Sequence, residues 1–428
     1  MAVAVKEKTV KKGKKKTILK ILAGIAVLLA AFIVVTCLVS FIGNRANMKR
    51  IAEYEAVEYS GQLQPEKAAD GSVYFTCDRD FRVMQLTDIH IGAGWMCLNK
   101  DAKTINAVAA MISAEKPDLV IVTGDIAYPV PFQSGTVNNK TPARMFAQLM
   151  EKLGVYWTMC FGNHDTEMYS FYDRDDIAAF YSSGEFPHCL MSPGPEDVFG
   201  SCNHYITVRK SDGEITQAFY MLDSHSYMSD DPLGVKWHYD NIHDDQLAWY
   251  ENSLAALNKE NDGLFAENGK NEKSDIKSLI FIHIPPVEAK QAWDEYAANG
   301  YKDTENVKHL YGFAGGTGKI VFCSAEDDML FETALKLGST KGIFFGHDHR
   351  NNHAFDYKGI RLAYAMSVDY LAIPGIAKIG RQRGCTMITV SPDGSFDSRN
   401  ENYYQDKYIS RFAKEDITMQ EISYPYSE

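Results

Sequence analysis

Residues 81–90 read FRVMQLTDIH, an apolar run that stops at Thr87 and is followed at once by Asp88-Ile89-His90. The same order recurs downstream, with DLVIVTGD at 118–125, VYWTMCFGNHD at 155–165, LIFIH at 279–283 and GIFFGHDH at 342–349. Each segment has the length and apolarity of a buried strand, and each ends in Asp, Asn or His. In α/β folds, ligands gather outside the carboxyl ends of the strands. Strand ends carrying these residue types therefore predict one site assembled from remote parts of the chain. Gly124, Gly162 and Gly346 stand directly before the polar residues and predict sharp turns that bring them close together.

Between these runs the spacing predicts helices over Ala102–Glu115, Arg144–Leu153, Asp244–Leu257 and Asp327–Leu337, and a further strand over Ala218–Leu222. Alternation of strand and helix indicates an α/β fold with layered sheets. Arg361–Ala365 and Thr386–Val390 read as antiparallel strands closing a second sheet. Lys259–Ser274, rich in Asn, Gly and Lys, reads as a surface loop. Pro286–Lys319 reads as an insertion beside the site, made mobile by Gly312, Gly315, Gly316 and Gly318.

The first residues are of another kind. Lys6, Lys8, Lys11, Lys12, Lys14, Lys15, Lys16 and Lys20 crowd one segment, although the whole chain of 428 residues has a formal net charge of −12. Thr17–Gly43 is apolar and, beyond Lys20, uncharged, which is long enough to cross a bilayer. The lysines put the N-terminal side in the cytoplasm, so the rest of the chain is expected outside a cell membrane that it crosses once. The length of the run favours a retained anchor over a cleaved signal. The expected parts are a basic segment (1–16), an anchor (17–43), a stalk (44–80), a body (81–395) and a C-terminal extension (396–428). An acidic body argues against nucleic acid as a partner. Cys189 and Cys202 flank a Pro-Gly-rich loop and are candidates for a disulfide. No CxxC pair points to zinc thiolate.

Taken in order, Asp88-x-His90, Gly124-Asp125, Gly162-Asn163-His164-Asp165, the lone His283 and Gly346-His347-x-His349 resemble the signature of the calcineurin-like metallophosphoesterases over roughly residues 81–370. The resemblance implies a four-layer α/β/β/α metallophosphoesterase sandwich behind an N-terminal transmembrane helix. It also implies a binuclear centre in which Asp88, His90 and His349 bind one ion, Asn163, His283 and His347 bind the other, and Asp125 bridges them. His164 would protonate the leaving oxygen, with Asp165 either orienting its ring or capping a helix. Such a donor set suits Mn, Fe or Zn. Two ions in one site lower the pKa of bound water and offset charge on phosphoryl oxygens, so the implied reaction is phosphoester hydrolysis by a metal-bound hydroxide.

Gly124-Asp125-Ile126-Ala127-Tyr128 is also similar to the purple acid phosphatase pattern, in which a tyrosinate binds ferric iron. His90 departs from that pattern and is expected to fill the place Tyr128 would take, with Tyr128 as the alternative ligand. The expected substrate is a phosphorylated small molecule, lipid or envelope component. The alternative is a catalytically silent sensor that keeps the fold and binds metal or phosphate. His225, Asp369 and Tyr370 are candidates to line the pocket, but the structural reading is preferred for all three.

Overall fold

The computed structural model describes residues 2–315 and 321–419, with side chains from residue 15 onward. The first helix, α1 (Ala2–Ala52), is unbroken from the basic segment into the body. Every large apolar side chain from Ile18 to Ile42 is exposed on it. Further on the helix docks: Asn44 Nδ2 donates to the Ala93 carbonyl at 2.8 Å, Asn47 Nδ2 donates to that of Leu98 at 3.1 Å, and Ile51 is buried. The stretch expected to be a free stalk is thus part of the body. Its two short strands, β1 (Pro65–Lys67) and β2 (Val73–Thr76), form one edge of a sheet.

The chain continues through β3 (Phe81–Leu86), α2 (Leu98–Glu115), β4 (Leu119–Thr123), α3 (Lys140–Leu153), β5 (Trp157–Cys160) and α4 (Arg174–Tyr181). Then come β6 (His204–Arg209), β7 (Ile215–Met221), α5 (Asp244–Glu267), β8 (Lys277–Phe281), α6 (Val287–Ala298) and β9 (Val307–Tyr311). The last elements are α7 (Leu330–Leu337), β10 (Thr340–Phe345), β11 (Ala354–Tyr357), β12 (Ile360–Tyr364), β13 (Gly384–Val390) and β14 (Phe396–Asn402). They make a nine-stranded sheet, β1-β2-β6-β7-β8-β10-β12-β11-β9, and a five-stranded sheet, β14-β13-β3-β4-β5.

The layers follow from side-chain alternation, since successive residues of a strand point to opposite faces. On β7, β8 and β10, Phe219, Leu279, Phe281 and Phe344 belong to the core shared with the five-stranded sheet. Their neighbours Tyr220, Ile280, Ile343 and Phe345 pack with α5, α6 and α7. On the other side, Trp157 of β5 meets Phe146 of α3 and Tyr181 of α4. The order is helices, sheet, sheet, helices. Burying a large apolar side chain in these cores contributes about 2–3 kcal/mol.

Several expected boundaries shift. Lys259–Glu267 continues α5 instead of forming a loop, because Asn261 is held on both sides: its Oδ1 accepts from Ile215 N at 2.9 Å, and its Nδ2 donates to Ile215 O at 2.7 Å. The insertion expected at Pro286–Lys319 contains α6, whose Trp293 and Tyr296 are core residues, and the edge strand β9. Gly316 and Gly318 lie outside the described residues. Arg361–Ala365 and Thr386–Val390 do not close one sheet together: β12 runs parallel to β10 in the larger sheet, whereas β13 runs antiparallel to β3 in the smaller. The body also reaches beyond 395, since β14 pairs along β13. Cys189 and Cys202 are unpaired.

Candidate metal centre

β3, β4 and β5 are parallel to one another, as are β7, β8 and β10, so the carboxyl ends of both sets meet at one edge of the sandwich. Gln85 Nε2, near the end of β3, donates to the Phe345 carbonyl of β10 at 3.4 Å and ties the two sheets there. The turns that follow are tight. Asp88, His90, Asp125 and His347 all hold positive φ, between 49° and 76°. Non-glycine residues in this region are strained and persist where the surroundings enforce them, as at functional sites. The expected role of glycine is evident at Gly162, where a Cβ would lie 2.1 Å from Asp125 Oδ1.

All seven residues of the expected donor set converge. Asp88, His90, Asp125 and His349 each offer a donor atom within 4.8 Å of the others. Asn163 Oδ1 faces both His283 Nε2 and His347 Nδ1 at 3.1 Å. Asp125 joins the two groups, since its Oδ2 is 3.2 Å from His90 Nε2 and 3.3 Å from His283 Nε2. Apart from His349, which is partly exposed, all are buried.

The electrostatics suit cations. Asp88 Oδ1 is buried with no hydrogen-bond partner. Burial opposes a charge on Asp125, but His283 and His164 outweigh it and hold the carboxyl well below its ordinary range. Burial also opposes the imidazolium of His283, yet Asp125 raises its pKa to about 9. His347 goes the other way: burial, then His283, keep it neutral, the form that donates a lone pair to metal. In the protein alone, protons on buried histidines supply positive charge that the carboxylates require. The same carboxylates and imidazoles are donors that suit a divalent cation at Asp88, His90, Asp125 and His349.

A second ring of residues, unseen in the sequence, fixes the first. Asp369, read as structural, lies 3.2 Å from Nδ1 of His90 with one oxygen and 3.2 Å from Nδ1 of His349 with the other. That turns both Nε2 atoms toward the cluster, the usual way a carboxylate orients metal-binding imidazoles. The Thr123 carbonyl, 2.8 Å from His283 Nδ1, does the same for His283. Asn163 Nδ2 donates to the Tyr227 hydroxyl at 2.9 Å, which leaves the amide oxygen facing inward. Arg174 bonds Asp223 and donates to Ser226 Oγ at 2.7 Å and to the Gly162 carbonyl at 3.2 Å, bracing the 162–166 turn.

His164 stands beside the cluster, its ring centroid 5.7 Å from that of His90. The expectation that Asp165 orients it, or caps a helix, is corrected here. Asp165 turns inward and accepts from the amides of Asp125, Ala127 and Gly162, each at 2.9 Å. The partner of His164 is Glu167, whose Oε1 is 2.6 Å from Nδ1. A cleft of about 360 Å3 bounded by Glu167, Arg174 and Tyr227 opens next to it. Tyr128 packs its ring between His90 and His164, but its hydroxyl bonds Gln133, and burial, then Asp369, push its pKa up. His225 lines the same cleft, with its Nε2 held by Gln246 Oε1, and the Tyr370 hydroxyl donates to Glu415.

Comparison with known proteins gives three findings. A family model described as calcineurin-like phosphoesterase matches residues 81–351, well over half of the chain. A protein of Arabidopsis thaliana named probable inactive purple acid phosphatase 14 is 28% identical over 319 residues, covering 69% of this chain and 72% of its own length. Probable inactive purple acid phosphatase 29 of the same plant is 25% identical over 346 residues, covering 76% of this chain and 80% of its own. Among solved structures, a dimetal phosphatase from Danio rerio aligns with 77% of this chain and 98% of its own at 13% identity, with a TM-score of 0.43.

Proposed function

Because this chain belongs to the calcineurin-like phosphoesterase family, we propose that it is a metal-dependent phosphoester hydrolase with a binuclear centre. The observation that carries this is Asp125 Oδ2, set 3.2 Å from His90 Nε2 and 3.3 Å from His283 Nε2, a carboxylate shared between two groups of donors. In our reading Asp88, His90 and His349 would hold one ion and Asn163, His283 and His347 the other, with Asp125 contributing to both. Mn, Fe and Zn all suit the donors. Ions held there would supply Lewis-acid charge at the phosphoryl group and would lower the pKa of water at the site.

The remaining steps fall to the chain's own residues. His164 is the general acid: its Nδ1 is taken by Glu167, so Nε2 is the atom left to give a proton to the leaving oxygen. Glu167 sets the ring's orientation through its hydrogen bond to Nδ1. Asp369, Thr123 and Tyr227 hold the donors in place before substrate arrives. The helix from Thr17 to Gly43 anchors the protein in a membrane, with the lysine-rich end on the cytoplasmic side and the body outside.

His164→Ala tests the assignment. Metal content should be kept while turnover slows, and esters with very good leaving groups should be affected less, since they need little protonation. Loss of metal in that variant would show His164 to be a ligand.

A second reading is supported by the names of the Arabidopsis relatives, both called probable inactive phosphatases. On that reading the site binds metal or phosphate without turning over. The full set of donors, together with His164 and Glu167 poised beside them, favours the enzyme.

A further inference from the structure

Three of the five turns that build the candidate centre, those after β3, β4 and β5, run on into loops with large exposed apolar side chains. The loop after His90 carries Trp95 and Met96, that after Asp125 carries Phe132, and that after His164 carries Met168 and Phe171. Phe132 is 89% exposed and Phe171 68%. These tips are joined to one another. Met96 N donates to the Ser134 carbonyl at 3.2 Å, and Phe171 N donates to that of Val137 at 3.1 Å.

The same rim lies along α1. Trp95 meets Phe32 edge to face, with ring centroids 5.9 Å apart. Phe41 and Arg45 share a groove with Lys140 and Tyr172, next to Phe171. At 1.5 Å rise per residue, Phe32 lies about 16 Å down the helix from Gly43, where the body docks. Trp95 therefore reaches well down the apolar segment. Thr17–Thr36 alone matches the ~30 Å hydrocarbon thickness of a bilayer, and Phe32 lies about 6 Å inside its outer end, which sets Trp95 near the interface where tryptophan is enriched.

We propose that these loops form a lip lying in the outer face of the bilayer, and that the site's substrate is a phosphoester borne on a membrane lipid. This rests on the hydrolase reading above. A headgroup held at the interface would reach the centre without its acyl chains leaving the membrane, because lip and donors belong to the same loops. Arg45 and Lys140 beside the lip suit an anionic headgroup.

The test uses the full chain reconstituted in phosphatidylcholine vesicles. With brominated phosphatidylcholine, part of the tryptophan fluorescence should be quenched, and Trp95→Phe should remove most of that part. With phosphatidate or phosphatidylglycerol in the vesicles, a monoester and a diester, the double variant Trp95→Ser/Phe132→Ser should hydrolyse the lipid about fivefold more slowly. Hydrolysis of water-soluble nitrophenyl phosphate should change less than about twofold, as neither residue belongs to the donor set. Quenching that ignores Trp95→Phe, or equal effects on lipid and soluble ester, overturns the proposal while leaving the hydrolase reading intact. No turnover of any ester by the unaltered protein removes both.

Discussion

Glu167 holds His164: the carboxylate Oε1 is 2.6 Å from the imidazole Nδ1, and the Glu167 side chain is only 4% exposed. Glu167→Gln should therefore keep metal content and thermal stability but lower turnover by about 10–100-fold on esters with poor leaving groups. Asp165→Asn should behave differently. It replaces one of two accepting oxygens with an NH2 group that faces a buried backbone N–H, so about 2–3 kcal/mol of stability should go, and metal with it. Metal analysis, thermal unfolding and kcat on the two variants separate the roles. If Asp165→Asn slowed turnover without losing stability, the roles given to the two carboxylates would be reversed.

Asp369 faces two histidines at once. Asp369→Asn keeps the size of the side chain but removes the negative charge that faces both Nδ1 atoms. Metal affinity should fall by about 10–100-fold. Competition with a chelator measures this directly, and unchanged affinity would mean that the rings are fixed by packing alone.

Tyr128 offers a clean contrast. Its hydroxyl bonds Gln133, so Tyr128→Phe should leave the number of bound ions unchanged. An iron-loaded protein should also show no visible absorption band that depends on Tyr128. Loss of metal or of such a band in the variant would make Tyr128 a ligand.

The donors were legible in the sequence because each follows its own apolar strand, and α/β topology brings parallel strand ends to one edge. Their partners were not. Asp369 follows Ser367-Val368 with no motif around it, and only the fold brings Ser367 beside Thr87. Glu167 carries no mark in the sequence, because Asp165 is nearer to His164 along the chain, yet a residue three positions on lies within reach across a single turn. Edge strands escaped notice for a different reason. β1 (PEK) and β14 (FDSRNEN) are short or polar and partly exposed, so they lack the apolar run that marks β4, which is buried along its whole length. The end of α5 looked like a loop because Asn and Gly are poor helix formers, but contacts through Asn261 and Phe265 override propensity.

Away from the centre, Glu288 is buried, and neither oxygen has a hydrogen-bond partner. One donor atom each from Glu288, Asp327 and Glu332 lie within 4.8 Å of one another. Burial first, then the charges of Glu332, Asp328 and Asp327, raise its pKa from 4.5 to about 8. The folded state therefore keeps a proton that the unfolded chain releases. Stability from this group is present below pH 4.5 and is lost as pH rises toward 8. Glu288→Gln has no proton to lose, so its advantage should grow to about 2–4 kcal/mol above that window. Unfolding temperatures in chelator at mildly acid and mildly alkaline pH test it, and a difference independent of pH would contradict it.

The central claim is that the shared carboxylate Asp125 assembles a working two-ion centre. The most direct test strips the full chain in detergent micelles with chelator, reloads it with Mn, Fe or Zn, and measures bound metal and hydrolysis of nitrophenyl phosphate and bis-nitrophenyl phosphate in one preparation. The expected result is about two ions per chain, with activity lost on stripping, restored on reloading and absent in Asp125→Asn, which should lose both ions. Two tightly bound ions with no hydrolysis of either ester under any metal would contradict it and leave a site that binds metal without turning over.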